Sequence, residues 1–284
     1  MTTWRELLAD ASERLGQPLD ARRIVEEASG LEPAELVVAL DDHAPPLALT
    51  RTGAMIERRA AGEPLQYVLG RWGFRTLDLM VDRRVLIPRP ETEVVAGVAI
   101  DEARRVAAKK EGNVTVVDLG TGAGGIALAI ASEVPRARVW ATDESADALE
   151  VAGANLAGLG GFAATRVRLR QGSWFDALPD EMRGAIDVMV SNPPYVADAE
   201  VLPEEVERWE PRGALRAGPT GLECLSALIA DAAKWLARPG TLVLELAPNQ
   251  AAAVQAQSTA AGFVDVRVLH DLAGRGRALR ARLP

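Results

Sequence analysis

The sequence predicts an α/β protein: a mostly parallel, seven-stranded sheet covered by helices on both faces, preceded by a small helical domain. Three observations carry that expectation. From residue 114 onward, seven short and nearly all-apolar runs are separated, for the most part, by helical segments. Strands buried on both faces read this way. Residues 1 to about 62 read instead as short helices with polar breaks. Between these regions, residues 63–93 alternate apolar and polar positions and then turn proline-rich, as a hairpin with a stiff exit does.

The elements follow in order. Trp4, Leu7, Leu8 and Ala11 recur at helical spacing behind a threonine cap. A second helix covers 20–28 and stops at Gly30. Pro33 suits the first position of a third. Pro45-Pro46 is a break, and 47–61 reads as a fourth helix with Leu49, Ile56 and Ala60 inside. Leu77, Leu79 and Val81 alternate with polar residues, as do Val85 and Ile87, so a hairpin turning at Asp82-Arg83-Arg84 is expected. Pro88 and Pro90 stiffen the exit ahead of a helix from Glu91 to about Lys109. Sheet strands are expected at 114–119, 137–142, 167–169, 186–190, 241–246, 264–269 and 278–283. Helices are expected at 126–133, 146–156, 222–236 and 250–260. The acidic run Glu204, Glu205, Glu207 reads as a solvated helix face. Trp72 and Phe74 are expected to pack between domains.

Composition narrows the function classes. The chain has 284 residues, 48% hydrophobic and 25% charged, with a net charge of −8. A binder driven electrostatically onto duplex nucleic acid would more often be basic. Cys224 is the single cysteine, so no internal disulfide framework exists and a reducing cytosol fits. Its apolar helical setting reads as a structural thiol. His43 and His270 stand far apart, which leaves no zinc-ligand spacing and no metal site. The first residues lack an apolar signal core. No apolar run approaches the roughly 18 residues of a membrane span.

Two loops carry chemistry. Asp118-Leu-Gly-Thr-Gly-Ala-Gly-Gly125 follows the first sheet strand and opens a helix. Its glycines let the backbone turn sharply and approach a ligand, and N–H groups at the helix start favour a negative group. Asp143 ends the second strand, placed to accept hydrogen bonds from ribose hydroxyls. Gly120, Gly122 and Gly125 also satisfy the dinucleotide pattern, so a nicotinamide or flavin stays open on this loop alone. Asp118 favours a cationic cofactor such as S-adenosylmethionine, or a loop-orienting role.

Ser191-Asn-Pro-Pro-Tyr195 ends the fourth strand. Neither proline has an N–H to donate, so the ladder stops there. Asn192 Oδ1 and the Pro193 carbonyl can accept both hydrogens of a planar –NH2 group. Tyr195 can stack on that plane, and Pro194 holds the corner. This suits chemistry on an amide or an exocyclic base nitrogen. Ligands bind outside the carboxyl ends of parallel strands near the switch in strand order. The first and fourth strands are therefore expected to be neighbours, with the two loops side by side.

At these residues the chain resembles the HemK/PrmC family, the protein-(glutamine-N5) methyltransferases of peptide chain release factors. Asn-Pro-Pro-Tyr also occurs in adenine-N6 and guanine-N2 nucleic-acid methyltransferases, so the combination of segments carries the likeness. EPLQYVLG, GFRTLDLMV and VLIPRPETE resemble the family's connector. DLGTGAGGIALAIA resembles its cofactor loop, with Ala123 where serine is common. ATDESADALEVAGANL, GSWFDAL, NPPYV and EPRGALRAGPTGLE complete the series. Ala247 stands where the family usually has glycine, and Gly276 where an acid is common.

The resemblance implies a class I, Rossmann-like methyltransferase. Its domains would be a helical substrate-recognition domain at 1–75, a connector at 76–93 and a catalytic domain at 94–284. It implies methyl transfer from S-adenosylmethionine, leaving S-adenosylhomocysteine, to the glutamine of a Gly-Gly-Gln motif. Cofactor contacts would be Asp118, Gly120, Thr121, Gly122, Ala123, Gly124, Asp143, Trp174 and Asn192. Asn192, Pro193, Pro194 and Tyr195 would hold the substrate amide, and Arg89, Glu91 and Glu93 would line the entrance or, as an equal alternative, form a salt-bridge set in the connector. The partner would be a release factor, with no direct nucleic acid or membrane partner, and the chain would act as a cytoplasmic monomer. A ribosomal-protein glutamine methyltransferase shares the clamp and stays as an alternative; a nucleic-acid amino-methyltransferase is disfavoured by the charge.

Overall fold

The computed structural model describes residues 2–284. Contacts divide the chain into two units: residues up to Trp72 with Pro203–Trp209, and Gly73–Leu202 with Glu210–Pro284. The smaller is helical: α1 (Trp4–Leu15), α2 (Pro18–Ser29), α3 (Pro33–Val38), α4 (Pro46–Ala60) and α5 (Leu65–Leu69). Thr3 and Glu6 form a reciprocal capping box at the start of α1. Helices α2 and α4 begin earlier than expected, each at a proline, which has no N–H to leave unsatisfied in a first turn. Trp4, Leu7, Ile24, Val25 and Ile56 meet in the core. Pro203–Trp209 adds the helix Glu204–Trp209, α10 in chain order. Its three glutamates are exposed, as expected, and Glu205 also accepts from Arg59 Nη1 at 2.8 Å while Arg59 Nε donates to Asp20 at 2.7 Å.

Next in the chain, β1 (Arg71–Phe74) and β2 (Leu77–Met80) form a two-stranded hairpin. This corrects the expected register. The turn lies at Arg75-Thr76, with Arg75 in the left-handed region (φ 54°). Glu93 Oε1 accepts the Arg75 N–H at 3.0 Å, and Glu133 Oε1 accepts from Arg75 Nε at 2.7 Å. Asp82-Arg83-Arg84 does turn, the Arg84 N–H donating to Asp82 Oδ1 at 3.0 Å. Residues 85–89 nevertheless form no strand. The Ile87 N–H goes to the Glu210 carboxylate, and Pro88 has none to give.

Helix α6 (Pro90–Ala107) follows, then β3 (Val114–Leu119), α7 (Gly125–Glu133), β4 (Ala137–Asp143), α8 (Ala146–Leu159), α9 (Gly161–Ala164), β5 (Val167–Gln171) and β6 (Ile186–Ser191). After the two short strands β7 (Val196–Ala197) and β8 (Arg216–Gly218), with α11 (Arg212–Leu215) between them, come α12 (Glu223–Trp235), β9 (Leu236–Glu245), α13 (Ala251–Ala260), β10 (Val264–His270) and β11 (Gly276–Leu283). The seven-stranded sheet runs β10-β11-β9-β6-β3-β4-β5. Strands β9, β6, β3, β4 and β5 are parallel neighbours, and β11 lies antiparallel between β9 and β10.

Val117, Leu119, Met189, Leu242 and Leu244 bury one face of the sheet with Leu225 and Leu228 of α12. Helix α6 lies against β6, β9 and β11 and beside α7. The chain winds outward from β3 through β4 to β5, then restarts at β6 on the other side. The switch point therefore lies between β3 and β6, with Leu119 opposite Ser191.

Candidate active site

A cavity of about 320 Å³ opens at the carboxyl ends of these strands, inside the larger unit. One wall is the glycine loop. The Gly120 and Thr121 N–H groups both donate to the Thr142 carbonyl at 2.8 Å, fastening the loop to the end of β4. Gly120, Gly122 and Gly124 all have positive φ. A Cβ on Gly125 would come within 3.2 Å of Phe74 and 3.3 Å of Leu79, so glycine there lets the hairpin rest on the start of α7. Phe74 is buried and lines the cavity.

Asp118 and Asp143 have different tasks. Asp118 is fully buried beneath the loop and does not line the cavity. Its Oδ2 accepts from the Thr121 hydroxyl at 2.6 Å and the Ala127 N–H at 3.2 Å, while Oδ1 has no partner among the described residues. Burial pushes this carboxyl up to about 7. Asp143 lines the cavity. Its two oxygens accept from the Gly122 N–H at 2.9 Å and the Ser145 N–H at 3.0 Å. Burial raises it, against the backbone N–H groups of Ser145, Gly122 and Glu144. A carboxylate so held keeps lone pairs free for hydroxyl donors in the cavity.

Gly120, Thr121, Gly122 and Ala123 line the cavity; Gly124 lies behind, as the N-cap of α7. Trp174 lines it too, its ring 3.5 Å from where a Cβ on Gly120 would stand. Its backbone adopts φ 45°, a left-handed conformation that a bulky residue rarely takes. Gly172 permits this turn, since a Cβ there would meet the Ala177 nitrogen at 2.8 Å. An acceptor pair, a glycine surface and an aromatic face are disposed to hold a nucleoside.

The opposite wall is the Asn-Pro-Pro corner. The Ser191 hydroxyl donates to the Leu119 carbonyl at 2.6 Å, tying the ends of β6 and β3 together. Asn192 and Pro194 line the cavity; Pro193 is buried. Asn192 Nδ2 donates to Thr92 Oγ1, in the first turn of α6, at 3.1 Å. Tyr195 does not line the cavity. Its hydroxyl donates to Glu245 Oε1 at 3.3 Å, and burial followed by Glu245 raises its pKa. Glu245 is itself fully buried, and burial pushes it up to about 7, opposed by the facing Thr92 and Tyr195 hydroxyls and by Arg277.

The entrance triad separates. Arg89 lines the cavity and is ion-paired with the nearly buried Glu210. Glu91 instead meets Arg275 at 3.2 Å and Arg277 at 3.4 Å, and Glu93 holds the Arg75 turn; neither lines the cavity. Cys224 is partly buried at the start of α12, and burial raises its thiol, as for a structural residue.

Four supporting residues were missed from sequence. Thr92 orients Asn192. Glu210 joins Arg89 to Ile87. Asn155 ties the hairpin to the loop, donating to the Met80 and Ala123 carbonyls at 3.0 and 2.9 Å. Gln250 donates to the Tyr195 and Gly221 carbonyls at 2.9 and 3.0 Å. Each makes contacts far away in the chain, and no local spacing announces them. The two departures from the family pattern lie outside the cavity lining. Ala247 has ordinary extended φ and ψ of −76° and 145°. A Cβ on Gly276 would crowd Val268 at 2.8 Å.

Comparison with known proteins agrees with this geometry. Residues 2–70 match the PrmC N-terminal domain and residues 99–209 the Methyltransferase small domain. A release factor glutamine methyltransferase of Cereibacter sphaeroides is 41% identical, covering 93% of this chain and 91% of its own. One of Xylella fastidiosa is 40% identical, over 98% and 97% respectively. Among solved structures, the catalytic domain of hMettl16 in complex with the MAT2A 3′UTR hairpin 6 superposes with a TM-score of 0.56 at 15% identity, covering 83% of this chain and 81% of that one. That likeness speaks for the fold alone. On full-length identity the chain belongs to the release factor glutamine methyltransferase family.

Proposed function

We propose that this protein transfers a methyl group from S-adenosylmethionine to the side-chain amide nitrogen of the glutamine in the Gly-Gly-Gln motif of peptide chain release factors. The observation that carries the reading is the corner. Asn192 uses its Nδ2 on Thr92 and so turns Oδ1 away from that partner, in a cavity shared with the glycine loop. Asp143, the loop at 120–123 and Trp174 supply the acceptors, close backbone and aromatic face that suit the cofactor. When bound, it supplies an electrophilic methyl group.

An amide nitrogen shares its lone pair with its carbonyl and attacks weakly. Asn192 Oδ1 and the Pro193 carbonyl would accept its two N–H bonds, fix its direction and stabilise positive charge growing on nitrogen. The nitrogen becomes acidic once alkylated and releases its proton to solvent, so no strong base is required. Asp118 would act from beneath, by shaping the loop. Arg89, held by Glu210, would border the substrate path. The reading takes the chain as a cytoplasmic monomer with a protein substrate and no nucleic-acid or membrane partner; no helix among the described residues is long and apolar enough to cross a membrane.

The test is incubation with labelled S-adenosylmethionine and, separately, release factor, ribosomal protein, tRNA and DNA, followed by mass mapping. Label on the release-factor glutamine is expected. Label only on ribosomal protein would shift the substrate, and label only on nucleic acid would refute protein-glutamine chemistry.

A further inference from the structure

A carboxamide has two ends of nearly equal size, and a half-turn exchanges an acceptor for a donor. If Asn192 presented its –NH2 to the cavity, it would repel the amino group it is meant to hold. Thr92 alone does not decide the matter, because a hydroxyl can either donate or accept. The decision requires that the Thr92 proton be committed elsewhere.

The neighbouring strand offers a place for it. Ser191 of β6 pairs with Leu244 of β9, so Asn192 and Glu245 are the next residues along two adjacent parallel strands. Thr92, in the first turn of α6, lies beside both: its Oγ1 accepts from Asn192 Nδ2 at 3.1 Å, and its hydroxyl faces the Glu245 carboxyl, where it favours the ionised form. Glu245 is fully buried, and Oε2 has no geometrically close partner among the described residues. A buried carboxyl costs stability unless hydrogen bonds or an opposite charge offset its desolvation. An ionised carboxylate is an acceptor only. In that form, which prevails above about pH 7, it draws the Thr92 hydroxyl proton and leaves only a lone pair for Asn192. Facing Tyr195, it takes that hydroxyl as well, at 3.3 Å, and fixes the far end of the corner.

Building on the proposed clamp, we propose that Thr92 and Glu245 are positioning residues: together they fix the Asn192 carboxamide with its oxygen toward the reacting nitrogen. Glu245 lies outside the cavity lining; Thr92 borders the cavity with its Oγ1 engaged by Asn192. Their effect on the reaction passes through Asn192.

The test has two arms on the full-length protein. The first needs no substrate. The chain has four asparagines, Asn113, Asn155, Asn192 and Asn249, so asparagine-selective 15N labelling gives few side-chain amide signals, and Asn192→Ala assigns the relevant pair. That pair should exchange slowly with solvent in the unmutated protein and lose its protection in Thr92→Val and Glu245→Gln. Thr92→Ser, which keeps the hydroxyl, should restore it. The second arm measures methyl transfer to release factor. Thr92→Val and Glu245→Gln should lower kcat by about 10-fold or more, with KM and cofactor affinity within a few-fold, and Thr92→Ser should recover most of it. Unchanged exchange and turnover within two-fold in Thr92→Val, beside an inactive Asn192→Ala, would overturn the positioning role and leave the clamp standing. Near-normal turnover in Asn192→Ala would sink the clamp itself. If Glu245→Gln melts below the assay temperature, the Thr92 pair of variants decides.

Discussion

The glycine loop after β3 and the Asn-Pro-Pro corner after β6 end neighbouring strands, yet they are held in opposite ways. The loop is held chiefly through its own backbone, by Asp118 beneath it and by Asp143 and Asn155 from the next strand and helix. Its N–H groups reach the end of β4, and Asp118 grips Thr121, three residues away. The corner is held by side chains from distant segments: Thr92 is 100 residues from Asn192, while Glu245 and Gln250 are 50 and 55 from Tyr195. A ligand cradle needs a backbone surface, which glycines and a helix start supply locally. A clamp needs one functional group aimed in one direction, and aiming takes supports from several elements. The two regions should therefore fail differently when altered, one in affinity and the other in turnover.

The largest effect should come from the corner. Asn192→Ala removes one of two acceptors at a centre where positive charge develops, and methyl transfer should fall by about 10²–10³-fold. Cofactor affinity measured by calorimetry should stay within a few-fold. A proportionate loss of affinity would erase the distinction between the two walls.

Asp143→Ala is the counterpart on the loop. It removes an acceptor in the cavity and frees the Gly122 N–H. Loss of hydrogen bonds to a charged group should weaken cofactor binding by about 10–100-fold, while turnover at saturating cofactor changes less. Unaltered affinity would reject the hydroxyl-binding role.

The same contrast governs what could be read in advance. The seven apolar runs, the helices and the two loops were visible because burial on both faces and helical spacing leave periodic marks. The hairpin register was not: Leu77, Leu79 and Val81 alternate correctly, but nothing local says that they pair backward with Arg71–Phe74 instead of forward with Val85 and Ile87. Pairing depends on where Glu93, Glu133 and Glu210 place their acceptors, and those are tertiary facts. In the site, Gly120 to Ala123, Asp143 and Asn192 were legible because turn chemistry and strand ends are local. For Asp118, Glu91 and Glu93 the sequence left a ligand-facing and a structural role open, and the fold turns them to Thr121, to Arg275 and Arg277, and to Arg75.

A smaller effect separates the two buried carboxyls from the paired ones at the surface. Asp118 sits near 7 in the fold against an ordinary 3.8, and Glu245 near 7 against 4.5, both from burial. Between those values the folded chain retains protons that the unfolded chain releases. Stability contributed by these groups thus falls as pH rises from about 4 to 7 and levels off above. Asp118→Asn, which cannot titrate, should flatten that decline, so that its melting temperature changes less across the window by a few degrees. Identical slopes in thermal melts at pH 5 and pH 8 would show that Asp118 is ionised without penalty.

The smallest effect should fall outside both walls. Ala247 follows β9 and lines no part of the cavity. Its N–H donates to Gln250 Oε1 at 3.0 Å and its carbonyl accepts the Gln250 N–H at 2.9 Å, in a backbone conformation open to any residue. Ala247→Gly should therefore keep both bonds and act mainly on the unfolded chain, lowering stability by about 0.4–1 kcal/mol. Turnover and cofactor affinity should match the unmutated protein, because Gln250 would still hold the Tyr195 carbonyl. A several-fold change in turnover would mean that the corner's outer support is itself adjustable, and that its stiffness comes from the loop after β9 as much as from its two prolines.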